Sequence, residues 1–139
     1  MIRPFPIHIL VALIFFILII QMSAIYWHLH FRFWWLDIPE HILGGLWVAL
    51  FGLSSFYASV RIKEKDHSAV FVVAFAVSLT LSVGLIWEIY EFWVNHAVGD
   101  FGIGLADTLT DLVDDLIGAL LGAFIFIRGE YHSILAHEL

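Results

Sequence analysis

The sequence predicts an all-α integral membrane protein, in which four transmembrane helices form a compact bundle with an acidic pocket at its outer end. Of the 139 residues, 62% are hydrophobic and 14% are charged, and the mean hydropathy is +0.96. Soluble domains are about 45–50% apolar and about 25% charged. Apolar runs long enough to cross a bilayer recur along the chain, and acidic residues cluster at their ends.

Four apolar runs of about 20 residues predict the membrane spans. They comprise residues 7–27, 38–60, 69–94 and 108–127. The first run follows Arg3 and resembles a signal peptide, but its length favours a retained helix. Because the connections between runs are short, we expect residues 1–139 to form a single membrane domain in contact with the lipid bilayer.

Composition excludes several classes of function. Six lysines and arginines are too few for a basic surface that binds nucleic acid. The absence of cysteine excludes disulfides, thiolate zinc sites and cysteine nucleophiles. The sequence also contains no glycine-rich phosphate loop and no HExxH motif. It does not predict an oligomeric state.

The distribution of basic residues predicts the orientation of the bundle. One side carries a single cation, Arg32, whereas the opposite side carries five, namely Arg3, Arg61, Lys63, Lys65 and Arg128. Cytoplasmic loops are enriched in lysine and arginine. We therefore expect both termini to be cytoplasmic and the first and third loops to face outward.

Nine of the thirteen acidic residues are predicted to lie at the outer end of this bundle. They are Asp37, Glu40, Glu88, Glu91, Asp100, Asp107, Asp111, Asp114 and Asp115. Two histidines, His41 and His96, lie at the same predicted level. Ionisable residues in membrane spans are expensive to insert, and their default interpretation is a functional site.

Helix capping is an alternative explanation for some of these acids. Asp37 and Glu40 flank Pro39 in the pattern of a capping box, and Asp107 stands where the fourth span begins. Acids near the start of a helix also interact favourably with the helix dipole, and this explanation extends to Asp111. Asp100 lies in the third loop, and capping does not account for the other four acids, Glu88, Glu91, Asp114 and Asp115. The first two lie near a helix C-terminus, and the last two lie about two turns into a span.

Helical spacing predicts that these side chains converge on a cation. Asp37 and His41 are four residues apart, and Glu88 and Glu91 are three apart, so each pair shares a helix face. The predicted metal ligands are Asp37, His41, Asp107, Asp111 and Asp114. Oxygen-rich ligation favours Mg²⁺, Mn²⁺ or Ca²⁺ and also accommodates Zn²⁺ or Fe²⁺. A network that binds protons alone is the alternative.

Several motifs resemble those of a known family. They are the segment from Asp37 to Gly45, the segment from Trp87 to Glu91, Asp107-Thr108 followed by Asp111, and Gly118-Ala119. In this order they resemble the small YjdF-like bacterial membrane proteins, which look related to the VanZ-like group. The resemblance implies a multi-pass protein of the bacterial inner membrane, and VanZ-like members are associated with the cell envelope and glycopeptide tolerance. The shared polar positions are Asp37, His41, Glu88, Glu91, Asp107 and Asp111.

The leading hypothesis is a metal-dependent hydrolase or transferase that acts on a lipid or cell-envelope precursor. In this hypothesis Glu88 or Glu91 is the general base that activates a bound water. A cation or proton transporter that uses the same carboxylates is a second hypothesis. The third is a non-catalytic envelope protein with a structural cation. The sequence therefore leaves open whether the protein is an enzyme.

Overall fold

The computed structural model describes residues 5–59, 68–98, 104–129 and 131. Within these ranges the chain is helical and contains no strand. In chain order the elements are α1 (Ile7–Tyr26), α2 (Leu29–Arg32), a 3₁₀ helix (Trp34–Leu36), α3 (Asp37–Ser59), α4 (Ala69–Val98) and α5 (Leu105–Arg128). The all-α fold class is therefore confirmed.

The long helices agree with the predicted apolar runs except near their ends. Helix α4 continues to Val98, four residues past the predicted end, because no glycine or proline interrupts the chain before Gly99. Helix α2 and the 3₁₀ helix lie in the first connection, where the sequence predicted no helix. Residue 60 and the basic residues of the second loop lie outside the described residues, as do Arg3 and Asp100.

Three segments, not four, are long and apolar enough to cross a membrane. They are Ile7–Tyr26, Trp34–Ala58 and Ala69–Ala97. The predicted fourth span at 108–127 does not meet this criterion, although α5 has 24 residues. The reason is its aspartates, since each one near a helix centre costs about 2.5–3.5 kcal/mol to insert. Length and composition therefore identify α5 as a helix but not as a span.

Helix α5 nevertheless separates its polar and apolar residues cleanly. The side that is buried against the bundle consists of Asp111, Asp114, Asp115, Gly118, Ala119, Gly122, Ala123 and Phe126. The exposed side is apolar and includes Leu109, Val113, Ile117, Leu120 and Phe124. Asp111, Asp114 and Asp115 therefore face the interior of the bundle, whereas the opposite face of α5 presents large hydrophobic side chains.

Glycines bring α3 and α5 into backbone contact. A Cβ atom added at Gly45 would lie 2.5 Å from the carbonyl oxygen of Asp115. A Cβ atom at Gly118 would collide with the carbonyl oxygen of Ile42 and lie 2.6 Å from the amide nitrogen of Leu46. Small residues permit this approach between membrane helices. The close packing holds the acidic first half of α5 against the start of α3.

The bundle has an acidic end and an apolar end. At the apolar end, the Tyr57 and Phe126 rings of α3 and α5 lie 5.4 Å apart between centroids. Leu50 and Leu53 of α3 and Val72 of α4 belong to the same buried cluster. The starts of α3 and α5 therefore lie together at the acidic end, where α4 finishes. This arrangement gathers the polar ends of three helices.

Helix α1 packs mainly on α3. The indole Nε1 of Trp47 donates a hydrogen bond of 2.9 Å to the carbonyl oxygen of Leu10. The two buried residues of α1, Leu10 and Ala24, lie toward opposite ends of the helix. Between these two contacts, the same face of α1 borders a cavity that opens beside the acidic end.

Candidate metal centre

Eight side chains form a cluster at the acidic end of the bundle, which we call the acidic centre. Helix α3 contributes three of them, α4 contributes two and α5 contributes three. They are Asp37, Glu40, His41, Glu88, Glu91, Asp111, Asp114 and Asp115. Five of the eight are fully buried, namely His41, Glu88, Asp111, Asp114 and Asp115. The predicted convergence of acids from three helices is therefore present in the structure.

His41 lies in the middle of the acidic centre. Its Nδ1 atom is 3.4 Å from Oδ1 of Asp115. Its Nε2 atom is 3.7 Å from Oδ1 of Asp37 and 4.0 Å from Oδ1 of Asp111. Asp37 lies four residues earlier on the same helix, whereas both aspartates of α5 are brought in by the α3–α5 contact. One imidazole therefore faces three carboxylates from two helices.

Asp37 does not act as a helix cap. Its φ and ψ angles of −62° and −41° are helical, and its side chain points toward His41. At the start of α5 the N-cap position belongs to Gly104, which makes no side-chain capping hydrogen bond. Asp107 lies instead in the first turn, where a negative charge is favourable to the helix dipole. The capping explanation therefore fails for Asp37 and holds only as a dipole effect for Asp107.

Glu88 and Glu91 occupy the face of α4 that meets the centre. Glu88 is 5% exposed, and the Thr108 side chain lies near its carboxylate. Its Oε1 atom, however, has no hydrogen-bond partner among the described residues. Glu91 is half-buried and lines the neighbouring cavity. A buried oxygen without a partner is costly, so this carboxylate requires a proton, a water or a cation beside it.

Three groups of side chains have the spacing needed to hold a cation. In each group, one ligand atom from every residue lies within 4.8 Å of the others. The groups are His30–Asp37–Glu40, Asp37–His41–Asp111 and His41–Glu88–Glu91. Two oxygens on opposite sides of Ca²⁺ are about 4.6–5.2 Å apart, since each Ca–O distance is about 2.3–2.6 Å. An upper limit of 4.8 Å between ligand atoms is therefore compatible with ligands around one such ion.

The structure brings some of the predicted ligands together and separates others. Asp37, His41 and Asp111 form one of the three groups. Asp114 is buried, and its Oδ2 atom has no hydrogen-bond partner among the described residues, but it belongs to none of the groups. Asp107 is exposed and also belongs to none of them. The assignment of these five residues as metal ligands stays a prediction.

Three residues of the site were absent from the predicted ligand set. Glu40 was explained as part of a capping box, although its i+3 spacing from Asp37 places both on one helix face. Asp115 was predicted to lie among the acids at the outer end of the bundle but was not included among the ligands. His30 lies in the first connection, and its approach to Glu40 depends on how that connection folds. Its Nε2 atom lies 3.7 Å from Oε2 of Glu40.

The negative charge of the centre has little positive charge nearby. In the part of the chain that the structure describes, the two arginines are Arg32 and Arg128, and neither lies within ion-pair distance of these carboxylates. The ion-pair contacts that these carboxylates make are with His30 and His41. Crowded like charges cannot all be ionised without compensation, so the site must bind protons, a cation or both.

A cavity of about 690 Å³ connects the acidic centre to the apolar interior between α1, α3 and α4. Asp37, His41 and Glu91 border its polar part. Its remaining wall is largely apolar and includes Ile14, Ile17, Leu18, Trp47, Val48 and Val83. The cavity therefore offers polar groups at one end and a hydrocarbon-like surface along its length.

Comparison with known proteins agrees with this architecture. The model of the family described as "Predicted membrane protein (DUF2238)" matches residues 3–130. The chain belongs to this family. The match extends through all four long helices, and the family description supports a location in the membrane. Searches of curated proteins and of solved structures found no match.

Proposed function

We propose that this membrane protein binds a divalent cation in the acidic centre and uses it in a hydrolase or transferase reaction on a lipid or cell-envelope precursor. The observation that carries the proposal is the His41–Glu88–Glu91 group, whose ligand atoms lie within 4.8 Å of one another. Glu88 in this group is buried, with one oxygen lacking a partner among the described residues. A cation would supply that partner and would neutralise the surrounding carboxylates.

Different residues would bind the cation and transfer the proton at such a site. His41 and Glu88 would hold the cation, and Asp37 and Asp111, which form a second group around the same imidazole, would contribute to its binding. The cation would polarise an oxygen of the substrate and acidify a water. Glu91 borders the cavity and would accept the proton from that water. Glu88 is more deeply buried, and we therefore assign it to binding the cation rather than to proton transfer.

The shape of the cavity supports an amphipathic substrate. A lipid places its polar head and its hydrocarbon chain in one molecule, and the cavity joins carboxylates and His41 to an apolar wall. Helix α1 packs mainly on α3, so the side of the cavity between α1 and α4 is bordered by few direct helix contacts. A hydrocarbon chain could enter there from the bilayer while the head reached the acidic centre.

Transport across the membrane is less well supported by the described residues. Within them, the buried polar side chains at the acidic end are followed toward the other end by Thr80 and then by apolar packing. Leu50, Leu53 and Val72 are among the residues that fill this apolar part. A transport route needs polar groups or water along its whole length. The arrangement therefore favours a one-sided pocket over a pathway.

The proposed setting is the bacterial inner membrane, with YjdF-like and VanZ-like proteins as relatives. We further propose that α5 crosses the bilayer, because its aspartates face the bundle and its outward face is apolar. Four crossings would place both termini in the cytoplasm and the acidic centre outward. A reporter fused after Leu139 should then be active on the cytoplasmic side, whereas activity confined to the outside would contradict this topology.

Cation binding should raise the melting temperature of the protein in detergent. At a free cation concentration 100 times the dissociation constant, binding stabilises the folded state by about 2.7 kcal/mol. Asp111→Asn should remove most of this gain, because Asp111 belongs to a ligand group. Asp107→Asn should retain it, because that carboxylate lies outside all three groups. If wild-type melting is the same in chelator and in added Mg²⁺, Mn²⁺ or Ca²⁺, a proton network is the better explanation.

Glu88→Gln should separate stability from cation binding. Without a cation, the neutral side chain removes one negative charge from the crowded carboxylates, so the free energy of unfolding should rise. With a cation, the variant should lose affinity because a charged ligand is gone. Chemical unfolding with and without Mn²⁺ measures both effects. Loss of stability in the cation-free variant would indicate that Glu88 has a structural partner instead.

A further inference from the structure

Asp37 belongs to two of the three ligand groups, one of which joins residues of the acidic centre to His30. It joins His41 and Asp111 in one group and His30 and Glu40 in the other. This double membership follows from helical geometry, because Glu40 and His41 lie three and four residues after Asp37 on the same face of α3. A carboxylate has two oxygens, so Asp37 can coordinate one cation on each side.

Glu40 supplies independent evidence that a cation binds at the group formed by His30, Asp37 and Glu40. Its side chain is 9% exposed, and its Oε2 atom lies 3.7 Å from Nε2 of His30. Its other oxygen, Oε1, is buried and has no hydrogen-bond partner among the described residues. Nine-tenths of this carboxylate side chain is therefore removed from solvent, and one of its two oxygens has no hydrogen-bond partner among the described residues.

The first connection places His30 opposite Glu40. The backbone turns sharply at His28, which has a φ of 51°, and the short helix α2 follows directly. His30 on this helix is 37% exposed in its side chain and borders the same cavity as Asp37 and Glu40. The second group therefore lies at the accessible side of the acidic centre, whereas His41 lies deeper.

We infer that the acidic centre holds two divalent cations, with Asp37 as the carboxylate shared between a deep site at His41 and an outer site formed by His30 and Glu40. This inference rests on the proposed function, because the deep site is the cation site proposed above. Paired cations that share a carboxylate act together on both the attacking and the leaving oxygen of a displacement. The substrate class that fits such a pair is a phosphate ester with an apolar chain.

A Mn²⁺ titration of the full chain in detergent tests the inference. The six-line electron paramagnetic resonance signal of free Mn²⁺ gives the number of ions bound per chain. Wild type should bind two ions, whereas Glu40→Gln and His30→Gln should each bind one. His30→Gln changes a partly exposed side chain on α2, so it also covers the case in which Glu40→Gln fails to fold. Arg32→Gln, on the same short helix but outside the ligand groups, should still bind two.

The outcomes separate this inference from the proposed function. One ion in wild type and one in both variants would overturn the outer site and leave the deep site intact. Two ions in wild type and in both variants would show that the second ion does not use His30 or Glu40. Binding of no ion by wild type would overturn the proposed function together with this inference.

Discussion

His41→Leu is expected to abolish high-affinity binding of divalent cations. His41 is a member of two ligand groups, and its imidazole faces carboxylates from α3 and α5. Loss of this ligand should weaken binding by about 100-fold or more, which corresponds to about 2.8 kcal/mol. Isothermal titration calorimetry of Mn²⁺ into detergent-solubilised protein measures this change directly.

The matched control for this variant is His8→Leu. His8 is an exposed histidine near the start of α1, away from the acidic end of the bundle. The His8→Leu substitution removes the same kind of side chain without changing the acidic centre. It should therefore leave the affinity for Mn²⁺ unchanged. Equal affinities of His41→Leu and wild type would contradict the assignment of His41 as a ligand.

Gly118→Val is expected to destabilise the bundle strongly. Its Cβ atom would collide with the carbonyl oxygen of Ile42 and lie 2.6 Å from the amide nitrogen of Leu46. Both obstacles are backbone atoms, so α3 and α5 must move apart to admit the side chain. Overpacking typically costs about 1–3 kcal/mol and sometimes more. We expect the upper part of this range, together with weaker cation binding, since the same contact places Asp115 beside His41.

Gly44→Val provides the control for this change. Gly44 lies on the neighbouring face of α3 and borders the cavity, and a Cβ atom there would meet no atom within 4 Å. The substitution should therefore leave the unfolding free energy close to that of wild type, as measured by denaturant unfolding in detergent. If Gly118→Val and Gly44→Val have the same stability, the backbone contact between α3 and α5 does not limit packing.

Most of the helical architecture follows from the sequence, because long apolar runs without charges have few alternatives to a membrane helix. The limit of this reasoning appears at α5. Its aspartates keep α5 from meeting the criterion of hydropathy and charge, yet the structure buries Asp111, Asp114 and Asp115 against the bundle. Whether a carboxylate faces lipid or a neighbouring helix depends on packing, which the composition of a single helix does not contain.

The acidic centre was predictable only where helical spacing alone determines which side chains lie together. Spacing of four residues places Asp37 beside His41 on any α-helix, and the structure confirms that the two lie together. The choice between Asp114 and Asp115 was not predictable, because adjacent residues point about 100° apart and the rotation of α5 decides which one meets His41. Glu40 was ambiguous, since the same position suits a capping box. His30 depends on the turn at His28, for which the sequence offers no clear signal.

Pulsed electron paramagnetic resonance of the Mn²⁺-loaded protein tests the central claim, that His41 and the surrounding carboxylates bind a divalent cation. The method detects the coupling between the electron spin of Mn²⁺ and a ¹⁴N nucleus that ligates it. We expect wild type to show a histidine ¹⁴N coupling that is reduced or lost in His41→Leu and retained in His8→Leu. Bound Mn²⁺ without any ¹⁴N coupling, or an unchanged coupling in His41→Leu, would contradict the account.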